Sequence, residues 1–461
     1  MTLPELLPSL RTSLSTRFAP EIWPLTTRPG RHGDLLVGGV SLRAVAEQFG
    51  TPTYVLDEAD VRTRCRRYTR AFGTGDTEVA YASKALLCGT VARWIAEEGL
   101  ALDVCSAGEL AVARAVGFPP ERVVLHGNAK TAEDLRSALD YRVGRVVIDS
   151  VSEVARLAAL ATTPQRVLLR VIPGVDAGTH SALTTGVEEQ KFGLSLTTGA
   201  AADAARRVLG QHALALTGVH CHIGSQVSRF GGYERALSQL VTFLAWIRDE
   251  RAARGLPEQG PAELDLGGGH AVPYRHGDDD FAIEGFAHRI HQVLTLECER
   301  HRLPLPRLTV EPGRAIVARA GVTLYRVITI KRTAAGQRLV AVDGGMGDNL
   351  RTSLYGARYT VSRVGQISSA PTTAATVVGR YCEPGDVIAR DVPLPDDVRP
   401  GELLAVPGTG AYHHSLANNY NMVGRPPLVV VRDGEAHVAI RRETIDDLLL
   451  RDAGCRPETG R

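Results

Sequence analysis

The sequence Val79-Ala80-Tyr81-Ala82-Ser83-Lys84-Ala85 places a lysine directly after a run of small and apolar residues. The run Glu78–Ala82 predicts a buried strand, and the pattern over Ala85–Glu98 predicts an amphipathic helix after it. The same alternation of short apolar runs and amphipathic segments continues as far as Glu311. Strands separated by helices are typical of βαβ units with a parallel sheet, so an α/β fold is predicted.

Nine segments have the pattern of strands, and their number and spacing predict a (β/α)8 barrel. Because such a barrel needs eight strands, one of the nine can lie outside it, and the first is the candidate. The nine segments are Thr53–Leu56, Glu78–Ala82, Leu100–Val104, Arg122–Leu125, Arg145–Ile148, Arg166–Val171, Leu216–His222, Glu263–Leu266 and Leu308–Glu311.

The pattern changes after Arg314, where strand-like segments follow one another with little helix between them. Asp433-Gly434, inside Leu428–Ile440, is a strong hairpin signal. We therefore predict a C-terminal β-domain, with a boundary near Pro312-Gly313. The expected organisation is an N-terminal segment (1–47) that packs with the β-domain, a barrel (48–312) and the β-domain itself (313–461).

The composition excludes several classes of protein. The 53 Lys and Arg residues nearly balance the 51 Asp and Glu residues, and no basic block indicates a nucleic-acid partner. The seven cysteines are scattered without a Cys-x-x-Cys pair, which argues against a disulfide framework and a structural zinc site. Pro4, Pro8, Arg11 and Arg17 interrupt the N-terminus, so neither a signal peptide nor a membrane span is predicted. A cytoplasmic enzyme is expected.

Lys84 is predicted to lie at the carboxyl end of its strand, where barrel enzymes carry their active sites. Small apolar neighbours would partly desolvate this lysine, which lowers the pKa of its amine and suits Schiff-base formation. Taken alone, the segment also allows a lysine at a helix start whose ammonium reaches solvent.

Other polar groups follow the ends of other predicted strands. These are His222 and Ser225 in His220-Cys221-His222-Ile223-Gly224-Ser225, the triplet Gly267-Gly268-Gly269 after Asp265, and Glu311-Pro312-Gly313-Arg314. A glycine triplet alone usually marks a tight turn, but it also lets backbone N–H groups approach a phosphate. Together with a strand-end lysine and a strand-end carboxylate, this arrangement predicts a pyridoxal phosphate site.

His220 and His222 share a strand face because they are two residues apart, and with Cys221 they could be mistaken for metal ligands. No carboxylate or histidine cluster at suitable spacing completes such a site. No metal is therefore expected.

These motifs resemble those of diaminopimelate decarboxylases, in the ornithine/diaminopimelate/arginine decarboxylase group of fold type III, alanine racemase-like enzymes. The resemblance runs from about Pro24 to about Leu449. Besides the motifs above, it includes Leu102–Glu109, His126–Lys130, Gln190–Gly193, Val342–Met346, Cys382-Glu383, Gly410–Tyr412 and Tyr420–Pro426.

The resemblance implies a decarboxylase that converts meso-2,6-diaminopimelate to L-lysine and carbon dioxide with pyridoxal phosphate, as the last step of lysine biosynthesis. By this resemblance Lys84 carries the cofactor beside Asp103, His222 packs on the ring face, and Glu311 pairs with the ring nitrogen. The implied ligands of the phosphate end are Ser225, Gly267, Gly268, Gly269, Gly313, Arg314 and Tyr412.

The resemblance also implies how the substrate is bound and protonated. Cys382 is the implied proton donor, and it is expected to come from the second subunit of a homodimer with shared active sites. The implied ligands of the amino acid substrate are Arg314, Arg351, Tyr355, Glu383 and Tyr412.

Three departures from the family pattern bear on substrate identity. The family often continues Gly-Gly-Gly-Leu-Gly, whereas His270 follows the triplet here; Pro384 replaces the serine of Cys-Glu-Ser-Gly-Asp; and the region Gly174–Gly186 differs. A proline beside the Cys-Glu pair removes a backbone donor and fixes φ.

Two alternatives stay open. The first is a related decarboxylase of another basic or carrier-linked amino acid in specialised metabolism. The second is an amino acid racemase or a non-catalytic pyridoxal-phosphate-binding protein. Glu311 argues against a racemase, because alanine racemases place arginine at the ring nitrogen. The β-domain argues against the single-barrel binding proteins.

Overall fold

A computed structural model of the chain describes residues 19–73, 76–175, 190–257 and 262–455. The described residues form two compact units. One unit consists of 62–271 and 279–316, and the other of 19–61, 272–278 and 317–455, each within the described ranges. The expectation for the N-terminal Pro4–Arg17 and most of the departure at Gly174–Gly186 lie outside the described residues.

The first unit contains a closed barrel of eight parallel strands, as predicted. Each strand pairs with the next along the chain, and the last closes on the first, with Val310 opposite Val79. The strands are β1 (Thr77–Ala82), β2 (Ala101–Val104), β3 (Val123–Leu125), β4 (Arg145–Ile148), β5 (Gln165–Ile172), β6 (Leu214–His220), β7 (Glu263–Asp265) and β8 (Arg307–Val310).

Helices connect these strands, and such crossover connections allow consecutive strands to run parallel. The helices of this part of the chain are Glu58–Phe72, Gly89–Glu97, Ala107–Ala115, Ala132–Tyr141, Val151–Leu160, Ala200–Leu209, Gly231–Ala253, Ile283–His301 and Arg314–Val317. Local sequence sets several of their ends. Thr131 and Asp134 form a capping box at one helix start, and Ser106 caps another by accepting from the N–H of Glu109.

A buried ion network lies at the amino-terminal end of the barrel. Arg145, the first residue of β4, contacts Glu78 and lies 2.5 Å from a carboxylate oxygen of Glu263. Arg166 reaches the other oxygen of Glu263, also at 2.5 Å, and Arg307 lies 3.0 Å from Glu78. These charges compensate one another across β1, β4, β5, β7 and β8, so removing one of the buried partners would leave an uncompensated charge.

The second unit is built mainly on β-structure, as predicted for the C-terminal region. A three-stranded antiparallel sheet of Arg28–Pro29, Leu35–Val37 and Val40–Ser41 precedes the helix Leu42–Phe49. The larger sheet consists of Thr53–Asp57, Gly321–Arg332, Arg338–Val342, Ser362–Val364, Thr372–Val378, Val387–Pro395, Leu403–Pro407, Leu428–Arg432 and Glu435–Ile440. The short helices Arg351–Tyr355 and Ile445–Leu449 complete this unit.

The first of the nine candidate strands lies in this larger sheet, outside the barrel. Thr53–Asp57 pairs antiparallel with Gly321–Arg332 and parallel with Leu428–Arg432. The predicted hairpin at Asp433-Gly434 is confirmed, since both residues have positive φ and join two antiparallel strands. The domain limits 47, 48, 312 and 313 stay a prediction.

One further feature concerns membranes. Among the described residues, no helix combines the length and the apolar character that crossing a bilayer requires.

The ion network predicts that two arginines sharing Glu263 as a partner contribute differently to the free energy of unfolding. Arg145→Leu should lower the free energy of unfolding by about 3–5 kcal/mol, because it leaves Glu78 and Glu263 buried without their central cation. Arg166→Leu is the matched control: its side chain is 52% exposed, so the loss should stay below about 1 kcal/mol. Urea unfolding measures both, and equal losses would contradict this interpretation of the network.

Candidate active site

A cavity of about 330 Å³ opens among residues at the carboxyl ends of the barrel strands. Barrel enzymes carry their catalytic groups at this end. The cavity brings together four predicted site residues that are far apart in sequence: Lys84, Asp103, His222 and Glu311. Three residues that were not predicted as site residues also line it: His126, Arg170 and His220.

Lys84 lies just beyond β1, in the 3-10 turn Ser83–Ala85. Its neighbours Ser83 and Ala85 are buried, but the Lys84 side chain itself is exposed. The expectation that small apolar neighbours desolvate this lysine is therefore wrong for the chain by itself. The reason is geometric: in this turn the Lys84 side chain points away from those neighbours and lines the cavity.

Glu311 follows β8 directly and is 5% exposed. Two imidazoles approach its two oxygens: Nε2 of His126 lies 2.7 Å from Oε1, and Nε2 of His220 lies 3.3 Å from Oε2. The two rings meet edge to face, with centroids 4.9 Å apart. A carboxylate can only accept hydrogen bonds, so the imidazole of His220 presents an N–H at Nε2. The contact from His126 is close, but its two atoms are not aligned as a hydrogen bond.

The pKa of Glu311 is shifted in the opposite direction from the pKa values of its neighbouring carboxyl groups. Burial raises the pKa of Asp103 and Asp265 well above their usual range, and the charge of Glu311 adds to both shifts. Burial also acts on Glu311, but its interactions with His126 and His220 outweigh it and hold its pKa well below the usual range. Glu311 is thus the carboxyl group that this cluster keeps ionised.

His222 is fixed by the glycine triplet that follows β7. The N–H of Gly268 donates to Nδ1 of His222 at 3.2 Å, so the ring proton of the neutral imidazole sits on Nε2. Burial, followed by the charge of Lys84, holds the pKa of His222 well below its usual range. The ring is therefore a neutral, oriented surface at the cavity wall.

Only glycine fits the triplet, because three stretches of backbone converge there. A Cβ on Gly268 would lie 2.1 Å from the carbonyl oxygen of Glu311, and one on Gly269 would lie 2.1 Å from that of Gly224. At Gly267 the corresponding distance to the carbonyl oxygen of Cys221 is 2.6 Å. The N–H of Gly267 donates to the carboxylate of Asp265, and the N–H of Gly268 donates to His222. The N–H of Gly269 has no hydrogen-bond partner among the described residues.

Ser225 and Arg314 lie beside this triplet, as the predicted phosphate site requires. Nη2 of Arg314 donates to Oγ of Ser225 at 2.9 Å, and the Arg314 side chain is buried. Gly313 packs against β1, where an added Cβ would lie 2.9 Å from the carbonyl oxygen of Ala82. A backbone cradle, a buried guanidinium and a hydroxyl at one end, with an ionised carboxylate at the other, fit pyridoxal phosphate.

Two predicted substrate ligands of the second unit, Tyr355 and Tyr412, lie close to a third, Arg351. The side chain is 5% exposed, and its Nε donates to the hydroxyl of Tyr359 at 3.0 Å. The guanidinium lies 5.4 Å from the ring centroids of both Tyr355 and Tyr412. Its terminal Nη groups form no hydrogen bond with any residue that the structure describes. Arg351 is therefore an oriented cation rather than a solvated surface arginine.

Cys382 and Glu383 are both exposed, and their backbone is held in place. The N–H of Cys382 donates to the side chain of Asn421 at 2.8 Å, and the N–H of Glu383 donates to the carbonyl of Tyr381 at 2.9 Å. Pro384 follows them in the turn before Val387–Pro395. Within the described chain neither side chain is packed into a core.

The sequence interpretation missed His126, His220 and Arg170. It paired His220 with His222 and expected no carboxylate cluster at suitable spacing, which is wrong: the ligand atoms of His126, His220 and Glu311 all lie within 4.8 Å of one another. His126 follows β3 directly, so the rule that identified Glu311 would also have identified it. The expectation that no metal binds stays a prediction, and His220 is within hydrogen-bond distance of Glu311 at 3.3 Å.

Arg170, near the end of β5, connects the cavity to the motif Gln190–Gly193. Its guanidinium lies 4.3 Å from the ring centroid of Phe192 and 3.8 Å from the carboxylate of Asp149. The N–H of Gly193 donates to the same carboxylate at 3.0 Å. The resemblance included this motif without explaining it, and the structure gives it a packing role beside the cavity.

Comparisons with known proteins agree with this site. Residues 58–318 match the family described as pyridoxal-dependent decarboxylase, pyridoxal binding domain. The chain is 56% identical, over 98% of its length and 100% of the relative's, to a diaminopimelate decarboxylase from Actinosynnema pretiosum subsp. auranticum. It is 48% identical to that of Mycobacterium tuberculosis H37Rv, over 94% of this chain and 97% of the relative.

A solved structure extends the likeness to three dimensions. Diaminopimelate decarboxylase from M. jannaschii in complex with L-lysine superposes with a TM-score of 0.85 and 32% identity. The alignment covers 93% of this chain and 98% of that one. The strand-end lysine, the ionised carboxylate and the glycine cradle thus occur in a chain that resembles these enzymes over nearly its whole length. The chain belongs to the pyridoxal-dependent decarboxylases, within the diaminopimelate decarboxylase family.

Proposed function

We propose that this chain decarboxylates meso-2,6-diaminopimelate to L-lysine and carbon dioxide, with pyridoxal phosphate as cofactor. The observation that carries the proposal is the cavity in which Lys84 and the ionised Glu311 lie together at the strand ends. The near-full-length likeness to diaminopimelate decarboxylases supports the choice of substrate. The reaction is the last step of lysine biosynthesis, and we infer a cytoplasmic enzyme.

The cofactor supplies one piece of chemistry that protein side chains lack: its ring accepts the electron pair left when carbon dioxide departs. In this proposal Lys84 is the covalent attachment point, with Asp103 beside it. Glu311 holds negative charge at the ring nitrogen. His222, fixed through Nδ1 by the N–H of Gly268, packs against the ring face.

The phosphate end is assigned to a second group of residues. The buried Arg314 supplies charge, and Ser225, already bonded to it at 2.9 Å, supplies a hydroxyl. The triplet Gly267–Gly269 lets the backbone approach, and the N–H of Gly269 is the donor with no described partner. Gly313 keeps the chain close to β1, and Tyr412 is the remaining proposed phosphate contact.

Arg351 is the proposed ligand of the substrate's distal carboxylate. Diaminopimelate differs from lysine and ornithine in carrying an amino acid group at each end, so the non-reacting end needs a cation and an anion. The terminal Nη groups of Arg351 can form a bidentate pair with that carboxylate. Glu383 is proposed to accept from the distal ammonium, with Arg314, Tyr355 and Tyr412 as further contacts.

We further propose a homodimer in which Cys382 protonates the product in the partner's site. Cys382 and Glu383 are exposed in the single chain, which is what residues donated to another subunit require. Large apolar side chains of the same unit are exposed as well: Leu354 at 53%, Tyr420 at 42% and Met422 at 58%. Such residues are enriched at subunit interfaces.

A related decarboxylase of another basic or carrier-linked amino acid is the second candidate, because His270 and Pro384 depart from the family pattern. The purified enzyme with pyridoxal phosphate, given meso-diaminopimelate, should release lysine and carbon dioxide in equal amounts. Ornithine, arginine and lysine offered alone should be turned over far more slowly. Preference for ornithine, or no lysine from diaminopimelate, would overturn the proposed substrate.

The attachment point can be tested by chemical trapping. Borohydride reduction of the holoenzyme followed by peptide mapping should place the pyridoxyl group on Lys84. Lys130 is the matched internal control: it is buried and donates to Glu153 and to the carbonyls of Gly127 and Val147. An adduct on Lys130 or Lys191 in place of Lys84 would contradict the assignment.

Substrate recognition by Arg351 predicts a kinetic effect. Arg351→Ala should lower kcat/KM for meso-diaminopimelate by about 100-fold or more, since it removes a charged, hydrogen-bonding partner. Affinity for pyridoxal phosphate should stay nearly unchanged. Arg358→Ala, at an exposed arginine of the same region, should leave kcat/KM unchanged. Wild-type kcat/KM in Arg351→Ala would remove this residue from the substrate site.

A shared active site predicts complementation between two inactive variants. Lys84 and Cys382 belong to different compact units, and each Ala variant should be inactive alone. Mixing Lys84→Ala with Cys382→Ala subunits should restore about a quarter of the wild-type activity, because half of the randomly formed dimers contain one intact site. If subunits exchange but activity does not return, each site is built within one chain.

A further inference from the structure

Glu311 is the central member of a buried three-residue group. The other two members, His126 and His220, have no role in the proposed function. Each imidazole approaches a different oxygen of the carboxylate, at 2.7 and 3.3 Å. They come from different strand ends, β3 and β6, so the barrel itself sets this arrangement. We propose that His126 and His220 are positioning residues that act through Glu311. His220 donates an N–H to one oxygen, His126 lies against the other, and together they keep the carboxylate ionised.

The proton count of the group supports this assignment. Burial lowers the pKa of His126 to about 4 and lowers that of His220 in the same direction. Both rings are therefore neutral at neutral pH. Each has a single ring N–H, and the hydrogen bond from His220 to the carboxylate, which only accepts, places the His220 proton on Nε2. The group thus carries one negative charge, located on Glu311.

The surroundings explain why Glu311 needs these two imidazoles. A carboxylate that is 5% exposed would otherwise take up a proton, as the raised pKa values of its neighbours Asp103 and Asp265 indicate. The charged and titratable groups that face Glu311 are Asp103, His126, Arg170, His220, Cys221, His222 and Asp265, with Lys84 acting on several of them.

The consequence concerns the ring nitrogen of the cofactor, so the inference rests on the proposed function. With both imidazoles in contact with it, Glu311 is a weak base, and the proton shared with the ring nitrogen stays on the ring. Without one of them, the basicity of Glu311 rises and the proton moves toward the carboxyl group. His126 and His220 would thus determine how strongly the cofactor ring withdraws electrons, without contacting the substrate.

The test compares variants that keep or remove an N–H at each position. His126→Gln and His220→Gln retain an amide N–H, whereas His126→Leu and His220→Leu retain bulk alone. The holoenzymes carry pyridoxal phosphate labelled with ¹⁵N in the ring, and its chemical shift reports protonation directly. His270→Leu is the matched control, because His270 is also buried but bonds to Tyr68 at 2.8 Å instead of Glu311.

The wild type, both Gln variants and His270→Leu should show a protonated ring nitrogen at neutral pH. Both Leu variants should shift toward the unprotonated position and lose about 10-fold or more in affinity for pyridoxal phosphate. If His126→Leu does not fold, His220→Leu, which removes the longer contact, carries the comparison. A protonated nitrogen in a folded Leu variant would overturn this inference, whereas a wild type that binds no cofactor would overturn the proposed function instead.

Discussion

A single ionised carboxylate, buried where β8 ends, is the constraint on which the site depends. Removing a carboxylate from water is costly unless hydrogen bonds or opposite charges compensate it. Glu311 obtains that compensation from His126 and His220, at 2.7 and 3.3 Å, while burial pushes the neighbouring Asp103 and Asp265 toward their protonated forms. The cavity therefore holds its negative charge at one defined place, which a cofactor with a basic ring nitrogen can use.

The barrel makes this arrangement possible because eight parallel strands bring their carboxyl ends to one rim. Lys84, Asp103, His126, His220 and Glu311 come from five different strand ends, and no local stretch of sequence could place them together. The opposite rim has another task. There the buried Arg145 bridges two carboxylates across the barrel. Stability and chemistry thus occupy opposite ends of the same strands.

Much of this could be predicted from the sequence, because strands and strand-end residues have local signatures. Val79–Ala85 identified both the first barrel strand and Lys84, and Asp433-Gly434 identified the hairpin. Properties that depend on distant residues could not be predicted. Thr53–Asp57 has the pattern of a barrel strand, but its partners in the other sheet lie hundreds of residues away in the chain. The exposure of Lys84 depends on how a three-residue turn aims its side chain. His220 was paired with His222 by their spacing, whereas its neighbour in space is His126.

The central property to measure is whether the carboxyl group of Glu311 is ionised in the folded protein. Infrared difference spectra of the wild type and Glu311→Gln, recorded across pH, report whether this one carboxyl group carries a proton. A carboxylate band should persist from neutral pH to below about pH 5, because His126 and His220 hold the pKa of Glu311 under its usual range. A carboxyl group that is already protonated at pH 7 would contradict it.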